Sequence, residues 1–324
     1  MHVHVLALDG VFDLGLSAVL DAFQTANELC QLFGVAAPRF EVRIVGVRKA
    51  VKTSQGLSVP VQAIGRLRPD CVVVPAIGYK MPGPLEVALA RLDVRDAAEA
   101  LRRWAHRGAM VTAACIGTFV LAESRLLDHQ RATSTWWLTP LFRKRYPHVL
   151  LDESKMIVKS GRFVTAGAAL SHMDLALWLI RSVSPKLADL TAKYLIVDSR
   201  PSQSAYALTD HLVHSDPIVL RFETWARSRL KQQFSLDEAA AATGSSKRTL
   251  ARRTQHVLGH SPLWYVQSLR VERAVHLLRT TGATVDEIAE SVGYADGATL
   301  RTLLRRRLDL GIREIRRKAG LRTG

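Results

Sequence analysis

Two stretches of this 324-residue chain hold residue types at spacings that do chemistry. The first is Met110-Val111-Thr112-Ala113-Ala114-Cys115-Ile116-Gly117-Thr118. A strand of small residues runs into Cys115, Gly117 follows two positions on, and a helix begins near Thr118. This is the pattern of a nucleophile elbow, where a sharp strand-to-helix turn lifts one side chain above the sheet edge. A helix N-terminus behind the sulfur lowers a thiol pKa, so the spacing predicts an exposed and activated Cys115. The alternative is a small buried Cys that only fills space. The second stretch is Thr284–Arg307. Thr284 and Glu287 form a capping box, Val285, Ile288, Ala289 and Val292 make one apolar helix face, and Gly293 ends that helix. Leu300, Leu303 and Leu304 stripe a second helix and leave Arg301, Arg305 and Arg306 outward. That is the grammar of a helix-turn-helix, and its Arg residues suit phosphates and guanine edges.

The elements that must position Cys115 alternate between strand and helix. Val3–Leu8 is a short apolar run ending at Asp9-Gly10; Leu14–Leu32 has helical periodicity; Phe40–Val47 alternates as a strand. Cys71–Val74 is continuously apolar, the mark of a strand covered on both faces. Asp93–Arg107 is a helix with Ala97, Leu101 and Trp104 inward. Ala109–Ala113 leads into the elbow, Phe163–Thr165 is a late strand, and Ser171–Ser182 is expected as the final helix. The alternation predicts a parallel sheet with helices on both faces.

Around Thr284–Arg307 the chain repeats itself. Ser235-Leu236-Asp237-Glu238 is a second expected capping box. Leu236, Asp237, Glu238, Ala240 and Gly244 match Val285, Asp286, Glu287, Ala289 and Gly293 at an offset of 49, and Leu250 matches Leu300 at 50. Pro262–Arg279 between the copies is one long amphipathic helix, and Ile218–Lys231 precedes the first. The polar, turn-rich stretch 198–214 predicts a linker, giving domains at 1–197 and 215–324.

The elbow, L-A-L-D-G-V-F-D-L (from Leu6), P-D-C-V-V-V-P-A-I-G (to Gly78) and L-L-D-H-Q-R-A-T-S-T-W-W (to Trp137) together resemble the PfpI-type domain of the class I glutamine amidotransferase superfamily. They are more closely similar to the version fused to AraC-type regulators, the GlxA-like group. The resemblance spans residues 2 to about 195. It implies an α/β flavodoxin-like sandwich with a small-molecule pocket at the strand C-termini, formed by Asp13, Gly78, Cys115, Ile116, Thr135 and Trp136. PfpI-type hydrolases place His directly after the Cys, where this chain has Ile116, and regulator-fused members often have His where Thr135 stands. His172 opens an apolar helix, a place for capping or packing. Without an imidazole partner a thiol is a poor nucleophile, so Cys115 is read as a vestigial nucleophile position. The chain is expected not to be an enzyme; the competing reading is a Cys115-dependent hydrolase or amidase with accessory DNA binding.

The two capped repeats on a connecting helix resemble the AraC/XylS DNA-binding domain over residues 218–318, through V-D-E-I-A-E-S-V-G-Y and G-H-S-P-L-W-Y-V-Q-S-L-R-V-E-R-A. That implies an all-α domain with two helix-turn-helix motifs reading successive major-groove faces about 34 Å apart. The groove-facing set is Ser246, Lys247, Arg248, Arg252 and Arg253 in the first copy, and Asp296, Thr299, Arg301, Thr302 and Arg305 in the second. The second copy departs from the family: Asp309-Leu310-Gly311-Ile312 replaces the usual Gly-x-x-Pro turn, and Leu300 and Leu304 replace aromatic residues. Its final turn is therefore expected to be recast, and its half-site to be read more through phosphates than through bases.

Composition agrees with a polyanionic partner. Net charge is +16. Residues 216–324 carry 20 Lys/Arg against 11 Asp/Glu, whereas residues 1–215 carry 25 against 18, so basic excess is concentrated at the C-terminal end. Cys30, Cys71 and Cys115 offer neither a disulfide framework nor a CxxC metal pair. No cofactor or metal is expected. No apolar run approaches the roughly 20 residues that span a bilayer. Together these predict a cytoplasmic, sequence-specific transcriptional regulator. Its expected partners are double-stranded DNA, a small-molecule effector, RNA polymerase and a second copy of the chain.

Overall fold

Cys71–Val74 is buried along its whole length because strands flank both of its edges and helices cover both of its faces. The protein is described by a computed structural model over residues 1–65, 68–198, 203, 214, 216–308 and 310–317. It forms two compact units, Met1–Leu138 with Phe142–Gln203, and Thr139–Leu141 with Ser204–Gly324. The stretch 198–214 expected as a linker lies almost wholly outside the described residues, as does the Arg-rich end from residue 318.

Among the described residues the first unit has a seven-stranded sheet. Its strands are β1 (His2–Leu6), β2 (Glu41–Gly46), β3 (Gln62–Ala63), β4 (Cys71–Val74), β5 (Met110–Ala114), β6 (Ile157–Ser160) and β7 (Phe163–Ala166), in the spatial order β6-β7-β5-β4-β1-β2-β3. All neighbours are parallel except β6 with β7, which form an antiparallel edge hairpin. The parallel sheet expected from sequence is present, with that edge as a correction. Side chains alternate between faces. Val3, Val5, Val73 and Val164 point to a core shared with α1 (Asp13–Leu32), α6 (Ser171–Val183) and α7 (Pro185–Tyr194). On the other face His4 meets Trp104 of α3 (Leu92–His106) edge-on at 5.8 Å. Fully burying one such Val, Leu or Phe contributes about 1.5–3 kcal/mol, so this layered packing is the main source of stability.

Strand order reverses between β1 and β4, the switch point where the loops after neighbouring strands diverge. Here those loops are stitched together: Phe12 donates its amide to Ala76 O at 2.8 Å, and Gly78 to Gly10 O at 2.7 Å. The next strand, β5, ends at the elbow and α4 (Gly117–Glu123) follows, after α2 (Pro82–Leu89) and α3 and before α5 (Thr139–Arg145) in chain order. A Cβ on Gly117 would lie 2.2 Å from Val74 O, so only Gly lets α4 start this close to β4.

Ser171–Ser182 is not the last helix of this unit. Ser184 caps α7, its Oγ accepting the Leu187 amide at 3.3 Å, and Pro185 fixes the first turn. The end of α7 is unusual. Val197 N bonds Ala192 O at 2.8 Å around Ile196, whose φ is 54° and whose side chain is 92% exposed. This is the left-handed cap that helices normally give to Gly, here carried by a β-branched residue that buries nothing.

The second unit is two small cores strung on one helix, α11 (Pro262–Thr280). Its N-terminal half, with Tyr265, Val266 and Leu269, packs against α8 (Pro217–Ser228), α9 (Leu236–Ala242) and α10 (Lys247–Leu258). Its C-terminal half, with Val271, Ala274, Val275 and Leu278, packs against α12 (Val285–Ser291), α13 (Gly297–Leu308) and α14 (Ile312–Arg317). The capping box at Thr284 is complete. At Ser235 only half of it forms, because Glu238 pairs instead with Arg229 at 3.1 Å. The recast final turn is α14: Gly311 N donates to Glu314 Oε2 at 2.6 Å, and Ile315 is buried under α11.

Replacing Ile196 with Gly removes the left-handed penalty at no cost in burial. The expected outcome is a first unit more stable by about 1 kcal/mol, read as a shift of its urea midpoint with unchanged slope.

Candidate nucleic-acid interface and elbow cleft

Cys115 has φ 56°, the backbone of a sharp elbow, and its amide bonds Ala166 O at 2.9 Å. The turn expected from sequence is therefore there. The exposed, activated thiol is not. Cys115 is 3% exposed, and burial pushes its thiol up to about 12; weaker opposing influences come from the Ile116 backbone, the Thr135 hydroxyl and the Lys80 charge. The helix that was to lower the pKa starts only at Gly117 and is seven residues long. Desolvation wins because the charged thiolate loses water on every side.

Nor does an imidazole serve the thiol. His172 is fully buried; its Nδ1 lies 2.6 Å from Ala169 O, and Ala76 N lies 3.0 Å from its Nε2. A carbonyl can only accept and an amide can only donate, so Nδ1 carries the proton and both ring nitrogens are spent on backbone. Burial lowers its pKa to about 4. His172 is a neutral packing residue.

The six sequence-predicted pocket residues gather as two groups on the strand C-terminal side. Asp13 Oδ2 accepts from Ser54 Oγ at 2.7 Å and Gln55 N at 3.2 Å, and Ser54 packs on Gly78 so closely that a Cβ there would lie 2.3 Å away. Burial alone raises the Asp13 pKa, but the Thr53 and Ser54 side chains and two backbone amides outweigh it and leave the carboxyl below its ordinary value. Cys115, Ile116 and Thr135 form the other group, with Ser134 Oγ donating to Cys115 O at 2.9 Å. Trp136 is half-buried and meets Trp137 edge-on at 5.5 Å; Trp137 Nε1 donates to Lys80 O at 3.2 Å. Sequence reasoning passed over Ser54, Lys80, Ser134 and Trp137. Ser134 and Trp137 carried a signal, since both lie in the quoted motif that ends at Trp137.

Asp13 Oδ1 and Thr118 Oγ1 are buried without a hydrogen-bond partner. Such orphans are rare in folded proteins and mark places where water or a ligand completes the bonding. A separate cavity of about 430 Å³, lined by Glu123, Arg125, Asp128, Arg145, Tyr146 and His148, touches none of the six. Among the described residues no cluster of His, Cys, Asp and Glu suits a metal ion, and no helix is long and apolar enough to cross a membrane.

In the second unit the predicted groove-facing residues divide by what already holds them. Ser246 caps α10, its Oγ accepting Thr249 N at 3.1 Å. Asp296 caps α13: Oδ1 accepts Thr299 N at 2.7 Å, and Oδ2 accepts Thr299 Oγ1 at 3.1 Å. Those bonds, the Thr299 amide first, hold the Asp296 carboxyl below its ordinary value. Lys247 pairs with Asp237 at 2.9 Å and Arg253 with Asp216 at 3.3 Å. Thr302 Oγ1 turns back to Ala298 O at 3.0 Å. That leaves Arg248 with Arg252 on α10, and Arg301 with Arg305 on α13, exposed and without an ion pair among the described residues. Each pair is spaced i, i+4, on one face of its helix. Arg307, from the same basic run, instead lies over the Trp264 ring at 4.4 Å and donates to Gln267 Oε1 at 2.9 Å.

The two motifs are fixed to each other by Arg270 of α11. It is 7% exposed, and its guanidinium donates to Leu230 O at 3.0 Å and Gln232 O at 2.5 Å, in the turn after α8. The same group lies 5.2 Å from the Tyr294 ring in the turn of the second motif. Gly293 passes so close that a Cβ would meet Leu230 O at 2.5 Å. Arg270→Met keeps the length and apolar stem but strands two carbonyls. We expect it to destabilise the second unit by about 2–3 kcal/mol in urea unfolding, with DNA affinity falling even where the unit remains folded.

The state of Cys115 is tested by thiol labelling in the folded protein across pH. With a pKa near 12 the rate at neutral pH should be far below that of a free thiol, and should show no plateau up to pH 10. A plateau with an apparent pKa below about 8 would restore the nucleophile.

Residues 1–182 match the DJ-1/PfpI family, and residues 239–318 match a helix-turn-helix domain. The chain is 26% identical over 296 residues to the HTH-type transcriptional regulator GbdR of Pseudomonas aeruginosa, covering 89% of this chain and 77% of that one. It is 26% identical over 264 residues to the HTH-type transcriptional regulator ArgR of the same organism, covering 73% and 80%. A transcriptional regulator structure from Vibrio parahaemolyticus shares the fold with a TM-score of 0.51 at 20% identity, covering 60% of this chain and 98% of that one. The chain thus belongs to the DJ-1/PfpI family and, with its AraC-type helix-turn-helix domain, is a DNA-binding transcriptional regulator.

Proposed function

We propose that this regulator reads DNA through the Arg248/Arg252 and Arg301/Arg305 pairs, and that a small molecule bound near the elbow controls it. The observation that carries the reading is the two exposed Arg pairs, without an ion pair among the described residues, one on the second helix of each motif, on helices that Arg270 and α11 fix in one body. A guanidinium can bind guanine O6 and N7 together, which Lys cannot match in geometry. Ser246, Asp296 and Thr299 act by setting the starts of α10 and α13, and the exposed Ser246 hydroxyl adds a phosphate contact. Lys247 and Arg253 exchange weak surface ion pairs for phosphates on binding.

The cleft at the strand C-termini is the effector site of this reading, with Asp13, Gly78, Cys115, Ile116, Thr135 and Trp136 around it. The orphaned Asp13 and Thr118 oxygens support a ligand there. The buried thiol and the saturated His172 speak against the hydrolase alternative. The regulator acts as a homodimer, the commonest assembly, and engages RNA polymerase from its DNA site.

The regular first motif is the stronger base reader. Arg248→Ala should cost about 1–3 kcal/mol in specific DNA affinity and relax preference at one base position. Arg305→Ala should weaken all sequences alike and reduce the salt slope by about 1. Both are read by titrating a set of operator variants at several salt concentrations. Greater loss of preference in Arg305→Ala would reverse the ranking of the two motifs.

A further inference from the structure

Gln203 belongs to the polar stretch that joins the two units, yet its side chain is wholly buried in the first unit. Its Nε2 donates to Ser134 O at 2.9 Å, with Thr133 Oγ1 at 3.1 Å and Lys155 O at 3.3 Å completing a ring of acceptors. The Gln203 backbone amide is held too, donating to Ser154 O at 3.1 Å. A wall of the cradle is Gly167, where a Cβ would lie 2.5 Å from Gln203 Oε1. The cradle is continuous with the elbow. Ser134 donates to Cys115 O, and Ala166, next to Gly167, accepts the Cys115 amide. Gln203 Oε1 itself is buried without a partner.

These bonds are lopsided. Three acceptors converge on one nitrogen that carries only two protons, while the oxygen beside it has no donor. An unpaired buried polar atom is costly, so the link's amide is an incomplete occupant of a place shaped for a nitrogen head group. We propose that Gln203 is a latch: it fills a nitrogen-binding cradle beside the elbow with the chain's own amide, and a ligand carrying a primary amide or primary ammonium takes its place. A primary ammonium supplies three protons to the three acceptors. Ligand and Gln203 cannot occupy the cradle together, so ligand occupancy and release of Gln203 are one event, which is the differential affinity that a switch requires. This deepens the effector reading and rests on it.

The test uses the full chain and three variants. Gln203→Met keeps the length and removes the donors. Gly167→Ala leaves the link untouched and places a methyl where the amide sits. Gln203→Ala opens the cradle. Propionamide is the probe, and butanone, of the same shape without N–H groups, is the control. Gln203→Met and Gly167→Ala should lower the thermal midpoint of the first unit by about 3 °C or more. Propionamide should raise the midpoint of Gln203→Ala but not of Gly167→Ala, whose cradle is filled, and butanone should raise neither. An unchanged midpoint in Gln203→Met would overturn the latch, as would equal stabilisation of Gln203→Ala by butanone. Failure of the wild-type chain to bind DNA would sink the regulator reading and leave these readouts as they are.

Discussion

A single buried guanidinium governs how the DNA-binding unit works as one body. The two cores of that unit share α11 but few other contacts of substance, and helices α9 and α12 are each only seven residues long. Short helices do not hold themselves; tertiary packing holds them. Arg270 sits at the join, closing the carbonyls after α8 and facing Tyr294 in the second turn. A buried cation is tolerated there because two carbonyls and an aromatic face replace its water. Without that group the angle between α10 and α13 would rest on apolar packing, which is not directional, and on the contact of Arg307 with Trp264 and Gln267.

The first unit is governed by a different constraint, exclusion of water from the elbow. Burial sets the Cys115 thiol and the His172 ring in opposite directions from their ordinary values, one upward and one downward, and both end neutral. Catalysis by a thiol needs the reverse, a thiolate beside a ring that can take and return a proton. What the cleft has in place of charge is a set of hydroxyl and carboxylate oxygens short of partners. Such groups reward a ligand whose donors match them and penalise one whose donors do not, which is the basis of recognition without reaction.

Much of this was legible in the sequence, and the parts that were not share a physical cause. Strand and helix positions followed from periodicity; the Cys115 elbow followed from Gly117 and the small residues before it; the paired motifs followed from the repeat around Asp237 and Asp286. Burial at the elbow was not legible, because Cys115 is covered by residues distant in sequence, Thr135 and Ser134 among them. Arg270 read as one more charge on an amphipathic helix, since its partners lie about 40 residues away, at Leu230 and Gln232. Ser246 and Asp296 read as groove-facing residues because cap residues and contact residues share chemistry at the start of a recognition helix. Half of the expected capping box at Ser235 was lost to Arg229, a competitor that a four-residue motif does not include.

The strained backbone at Cys115 remains to be accounted for once catalysis is set aside. A non-Gly residue at φ 56° costs of order 1–3 kcal/mol. In a hydrolase that strain presents the nucleophile; here the sulfur is buried and presents nothing. The turn still places three backbone groups. It aims the Cys115 amide at Ala166 O, its carbonyl at Ser134 Oγ, and the start of α4 against Val74 O across Gly117. Those contacts tie the ends of β4, β5 and β7 to the segment carrying Thr133, Ser134 and Thr135. Relaxing the turn would move that segment relative to the sheet, and with it the acceptors that face Gln203. The strain is retained by the geometry of the surrounding loops.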